Sequence, residues 1–171
     1  VQLTDEKGVH TGGSCLDGSR ATVWYFAGRT LKSISLDGGQ PQEHYTCPEG
    51  YRASGLSVSS CGRYVAFAYV ESLPHSTETG KIYSAQAESL FQRPRSVLMR
   101  YDSVDGAAKA LYGEHAWYTP VSISPADPDV VMFCHEGPFM YVQRLWIARA
   151  DPMEVWPLLK IERLLDRCGQ E

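Results

Sequence analysis

Residues 56–63 read Leu-Ser-Val-Ser-Ser-Cys-Gly-Arg, and the apolar run 64–70, Tyr-Val-Ala-Phe-Ala-Tyr-Val, follows at once. A short strand, a polar turn and a buried strand in this order predict an antiparallel pair. The same design occurs twice more, with its turns at residues 13–20 and 121–128. The turn glycines Gly18 and Gly62 lie about 44 positions apart, which is within the length of a propeller blade.

Each pair continues into two further predicted strands. The third strands are residues 31–36, 97–101 and 145–148, and the more polar fourth strands are residues 41–46, 108–112 and 155–159. Four antiparallel strands per repeat predict an all-β fold, a β-propeller fragment of about three four-stranded blades spanning residues 10–47, 52–113 and 119–160. Residues 1–4 are expected to be the outer strand of a preceding blade. A β-sandwich is the competing fold, because it also has short, regularly spaced strands.

Three blades do not close a ring, and a repeat cannot bury its faces without neighbours. Either the chain is part of a larger protein, or it associates with another copy through its open blades. Two segments depart from the repeat. Residues 71–94 form an insertion, either a surface loop or a lid with a short helix at 81–91. Residues 161–171 form an irregular tail, either a short amphipathic helix or disordered.

Composition limits the possible partners. The chain is 43% hydrophobic and 21% charged, with a net charge of −4 and no basic stripe with interleaved aromatics, so a nucleic acid is not expected as a partner. No run approaches the roughly 20 apolar residues of a membrane span. The five cysteines show no zinc spacing and are expected to be reduced thiols, which favours the cytoplasm. The chain begins without Met, which is typical of an internal cut. A signal peptide lost from the N-terminus is the alternative that this leaves open.

The densest group of functional side chains follows the buried strand of the third repeat. Residues 134–138 read Cys-His-Glu-Gly-Pro, and Arg144 follows next to Trp146. An arginine can hold a carboxylate with two parallel hydrogen bonds, and a histidine can bond to a hydroxyl or take a proton near neutral pH. An anionic sugar would suit this set, with Trp117 or Trp146 stacking on it. The alternatives are an ordinary His135–Glu136 pair, a structural salt bridge of Arg144, and tryptophans that belong to the core.

The stretch Phe-Cys-His-Glu-Gly-Pro at 133–138, followed by Arg-Leu-Trp at 144–146, resembles the hallmark region of oligogalacturonate lyases. Residues 123–128 and the opening residues 1–4 resemble the same family, so the likeness covers roughly residues 1–160. It implies a seven-bladed propeller that cleaves short, often unsaturated, oligogalacturonates by β-elimination. It also implies that Arg144 neutralises the uronate carboxylate and that His135 and Glu136 contact the substrate.

The same resemblance implies a base histidine and a manganese ion. In the family the base belongs to a His-Glu-Phe-Trp segment and the metal ligands to a later group of histidines and a glutamine, and this chain contains neither. No metal-binding residues are therefore predicted here, and the fragment alone is expected to be inactive. Two local departures are Thr119-Pro120, where family members often carry Gly-His, and a His135–Arg144 spacing about one residue shorter.

A second hypothesis is a non-enzymatic propeller module of the TolB or WD type. It predicts protein partners in place of an oligogalacturonide substrate. The remaining histidines (residues 10, 44, 75 and 115) have no metal-ligand spacing and are expected at the surface.

Overall fold

The structure is a computed structural model that describes residues 2–74, 88, 90–137 and 142–159. In that part of the chain, twelve strands form three separate four-stranded antiparallel sheets, one per blade. Blade 1 contains β1 (Val9–Asp17), β2 (Thr22–Ala27), β3 (Thr30–Ser35) and β4 (Gln42–Thr46). Blade 2 contains β5 (Tyr51–Val58), β6 (Tyr64–Glu71), β7 (Arg95–Asp102) and β8 (Ala107–His115). Blade 3 contains β9 (Tyr118–Ile123), β10 (Val130–His135), β11 (Leu145–Ala150) and β12 (Met153–Pro157).

The predicted all-β class and the three four-stranded blades are confirmed, and the sandwich alternative is wrong. The expected strand at the start of the chain is also wrong, since residues 2–6 form no strand. The outer strand of a preceding blade would have to pair with the third strand of that blade. The described residues contain no strand of a preceding blade. The predicted helix at 81–91 lies mostly outside the described residues, although residues 88 and 90–92 are helical. The tail, 161–171, lies entirely outside them.

The first strand of each blade is its inner strand, and β5 lies between β1 and β9. Apolar side chains on facing sheets form one cluster between blades 1 and 2 and another between blades 2 and 3. In the first cluster the rings of Phe26 and Phe67 are 5.3 Å apart, and in the second those of Tyr118 and Phe133 are 4.8 Å apart. Blade 2 therefore buries both faces against neighbours, whereas blades 1 and 3 each bury the one face that packs against blade 2.

The repeated turns also join the blades, at the edge where the inner strands end. Gly62 has φ +71°, and a Cβ atom there would lie 2.3 Å from Asp17 Oδ2 of the preceding blade. Ser60 Oγ, in the same turn, donates to Pro125 O of the following blade at 2.7 Å. A glycine is required at position 62 both for its backbone conformation and for this close approach.

No helix in the described ranges is long and apolar enough to cross a bilayer. Within these ranges, Cys15, Cys47 and Cys61 are free thiols.

Candidate functional site

The three site residues predicted from the sequence lie together at the edge where the inner strands begin. His135 ends β10, Glu136 follows it, and Arg144 directly precedes β11. The pairing of these two strands continues past their ends, because His135 N donates to Arg144 O at 2.8 Å. This backbone hydrogen bond places His135 next to Arg144, which is nine positions later in the sequence.

Arg144 and Glu136 form a buried pair, with 7% and 4% of their surfaces exposed. Arg144 Nη1 donates to Gly137 O at 2.8 Å, and Nη2 lies 3.5 Å from Glu136 Oε1. The Nε–H of Arg144 is buried and finds no acceptor within the described part of the chain. A buried donor without an acceptor is costly, so this atom is a natural contact for a ligand carboxylate.

Burial raises the pKa of Glu136, and the neighbouring Arg144 offsets only part of that rise. The removal of a carboxylate from water disfavours its charged form, whereas a nearby cation favours it. Glu136 therefore ionises less readily than an exposed glutamate.

The ring of His135 is held between blades 2 and 3. It stacks on Tyr118, with ring centres 5.3 Å apart and an interplanar angle of 10°, and it also contacts Trp146 at 5.1 Å. Its Nε2 lies 2.7 Å from Glu114 Oε1 on β8, although the contact is not an aligned hydrogen bond. The carboxylate in contact with the His135 ring is that of Glu114, whereas the sequence suggested Glu136.

Glu114 and Tyr118 are site residues that the sequence did not indicate. Tyr118 Oη donates to Glu114 Oε1 at 2.9 Å. Although burial raises the pKa of Glu114, the contacts with His135 and Tyr118 outweigh that effect and the net pKa is lowered. An ionised Glu114 thus fixes the imidazole from the neighbouring blade.

A small cavity of about 70 Å³ opens beside His135 and Glu136. Trp117 lines it, as do Leu90 and Arg93 from the end of the insertion. Ligand pockets usually measure about 300–1,000 Å³, so this cavity would hold only one group of a larger ligand. Arg144 is not among the residues that line it, although Nη2 of Arg144 lies 3.5 Å from Oε1 of Glu136.

The two tryptophans considered for stacking differ in their surroundings. Trp146 is half-buried next to His135, and its Nε1 donates to Gln143 O at 2.8 Å. Trp117 lines the cavity, and its buried Nε1–H lacks an acceptor in the described part of the chain. Trp117 is therefore the better placed of the two to contact a ligand.

The described residues include no group of three or more His, Cys, Asp or Glu side chains that could hold a metal ion. His115 is exposed, as expected. The surface prediction is wrong for His44, which is half-buried between Trp24 and Tyr101, with ring centres 4.5 and 5.6 Å away. The side chains of His10 and His75 lie outside the described ones.

Comparison with known proteins gives a consistent result. A family model described as oligogalacturonate lyase matches residues 1–161. The chain is 29% identical over 155 residues to an oligogalacturonide lyase of Pectobacterium atrosepticum and 27% identical to an oligogalacturonate lyase of Dickeya dadantii. Each match covers 88% of this chain and 39% of the relative. A solved oligogalacturonate lyase in complex with manganese superposes with a TM-score of 0.79 at 24% identity, over 92% of this chain and 42% of that one.

Proposed function

This chain belongs to the oligogalacturonate lyase family, and on that premise we propose that its gene product cleaves short oligogalacturonates by β-elimination. The chain spans about two fifths of the length of the relatives it matches, so the proposal concerns the complete gene product. The observation that carries it is the cluster of His135, Glu136 and Arg144 at one blade edge, inside the matched region.

In this reaction a base removes the proton on C5, beside the uronate carboxylate, while the oxygen on C4 of the same ring leaves and a C4–C5 double bond forms. The C5 proton is only weakly acidic, so negative charge that develops on the carboxylate must be stabilised. We assign this task to Arg144, whose buried Nε–H has no acceptor in the described part of the chain. A guanidinium in a buried site stabilises such charge more strongly than one in water.

We assign substrate contact to His135 and Glu136, which line the small cavity. Glu114 and Tyr118 hold the imidazole of His135 in one orientation, so His135 can offer a fixed polar edge to a sugar hydroxyl.

We propose that the complete gene product binds manganese, as the solved relative does. The residues described here do not fit a metal site, and no catalytic step is assigned to the ion. The base is likewise not assigned to any of these residues. We place the gene product in the cytoplasm, a location supported by the free thiols of Cys15, Cys47 and Cys61.

The test is an assay of the complete gene product on digalacturonate with manganese present. The ultraviolet absorbance of the new double bond should rise with time, and the neutral analogue digalactose should give no signal. No product from digalacturonate would overturn the lyase assignment and would favour the protein-interaction module.

A further inference from the structure

Arg52, at the start of β5, is a half-buried arginine that has no anionic neighbour among the described residues. Its guanidinium lies over the ring of Trp117, with Cζ 5.3 Å from the ring centre. It makes no side-chain hydrogen bond or ion pair with any residue of the described part. Burial lowers the pKa of this guanidinium, which nevertheless stays charged at neutral pH.

The other buried or half-buried arginines of the described part have a carboxylate partner. Arg100 pairs with Asp129, Arg149 with Asp127 at 3.1 Å, and Arg144 with Glu136 at 3.5 Å. A charge removed from water without a partner is unfavourable, and a cation–π contact recovers only part of that cost. Arg52 is therefore placed where an incoming anion would stabilise it.

A cavity of about 180 Å³ lies against Arg52. Its lining includes Gly13 of β1, Gly55 of β5 and Thr119 of β9, so the inner strands of all three blades contribute to it. It opens at the same edge as His135, because Arg52 and Thr119 both lie at the start of inner strands. The volume suits one acidic group of a ligand better than a whole oligosaccharide.

Trp117 connects this cavity to the candidate site. It lines both cavities, and its backbone oxygen accepts a hydrogen bond from Glu136 N at 2.8 Å. Its buried Nε1–H supplies a further donor that described residues leave unused. A ligand that passes along Trp117 would meet His135 and Glu136 on one side and Arg52 on the other.

We propose that Arg52 and Trp117 form a second carboxylate site, which binds a non-reacting uronate of the substrate while Arg144 serves the reacting one. This inference rests on the proposed function and deepens it, because it makes two adjacent negative charges the feature that the protein selects. Arg52 acts as a specificity-determining residue and takes no part in proton transfer.

The kinetic test compares Arg52→Gln with Arg20→Gln in the complete gene product. Arg20 is exposed at the opposite edge, so its variant removes the same charge away from the site. For digalacturonate, Arg52→Gln should lower kcat/KM roughly ten- to hundredfold, the range for loss of a hydrogen bond to a charged group. Arg52→Lys, which keeps the charge, should recover part of that loss, and Arg20→Gln should stay within about twofold of the wild type.

A second substrate separates ligand binding from a structural role. With digalacturonate whose non-reacting uronate is methyl-esterified, wild type and Arg52→Gln should have equal kcat/KM, because the charge that Arg52 recognises is gone. Equal losses on both substrates would overturn the inference and make Arg52 a structural partner of Trp117. No loss on digalacturonate would overturn it as well.

A binding readout keeps this inference separate from the lyase assignment. Titration of the chain with galacturonate should give a saturable change in tryptophan fluorescence that is lost in Arg52→Gln and retained in Arg20→Gln. If this holds while the lyase assay is negative, the function fails and the carboxylate site stands. If the lyase assay is positive but neither binding nor kcat/KM depends on Arg52, the carboxylate site alone fails.

Discussion

Phe133→Ala is the perturbation that most sharply tests how blade 3 is held in place. Phe133 is 1% exposed and packs between blades, with its ring centre 4.8 Å from that of Tyr118 and 6.1 Å from that of Tyr112. An aromatic side chain buries about 150–250 Å², which at ~25 cal/mol per Å² gives a ceiling of roughly 4–6 kcal/mol. Measured Phe→Ala changes in cores cost about 3–5 kcal/mol, and we expect that loss here.

The assay is urea denaturation of the chain, followed by tryptophan fluorescence and by circular dichroism. With a slope of about 2 kcal/mol per M, the midpoint should fall by about 2 M. The matched control is Phe91→Ala, the same substitution at a side chain that is 84% exposed, and its unfolding free energy should change by no more than about 0.5 kcal/mol. Equal midpoints for the two variants would refute the claim that the blade 2–blade 3 core stabilises the fold.

Three further predictions concern the turns, an ion pair and the open blades. Gly62→Ala should lower the urea midpoint, because a Cβ would lie 2.3 Å from Asp17 Oδ2 at φ +71°, whereas Gly18→Ala, with open space around it, should not; equal effects would contradict the account. Contact with Arg63 lowers the pKa of Asp102 to about 2, so the pair stabilises the fold above pH ~4 and this contribution is lost as pH falls towards 2. Asp102→Asn should reduce the pH dependence of the urea midpoint over that interval. An unchanged pH dependence would contradict the stabilising role of the pair. Light scattering should detect self-association through the exposed apolar side chains of β12, and a monomer at all concentrations would exclude it.

The blades could be predicted from the sequence because their signal is local. Each turn and the buried strand after it lie within about fifteen residues. Position 62 requires a glycine both for its positive φ, which is a local property, and for its close approach to Asp17 of the preceding blade. The same locality explains why His135, Glu136 and Arg144 were predicted together: they flank the gap between two paired strands.

The rest of the site depends on packing between blades, which leaves no pattern in a single sequence. Glu114 belongs to blade 2 and contacts His135 of blade 3. The sequence around either residue therefore does not indicate the contact. Arg52 lies 65 positions before Trp117 in the sequence, so their contact is visible only in the fold. His44 was expected at the surface because the scattered histidines lack metal-ligand spacing, but its ring lies between those of Trp24 and Tyr101.

The most direct test of the central claim is the turnover of digalacturonate by Arg144→Ala in the complete gene product, measured by the absorbance of the unsaturated product. Arg149→Ala is the control, because it removes an arginine of β11 that pairs with Asp127 in the turn before β10, away from the site. The account predicts that Arg144→Ala lowers kcat by about 10²–10³-fold or more, the cost of removing charge stabilisation from a transition state, while Arg149→Ala changes it little. Near-normal kcat in a folded Arg144→Ala protein would contradict the account and leave Arg144 as a structural partner of Glu136.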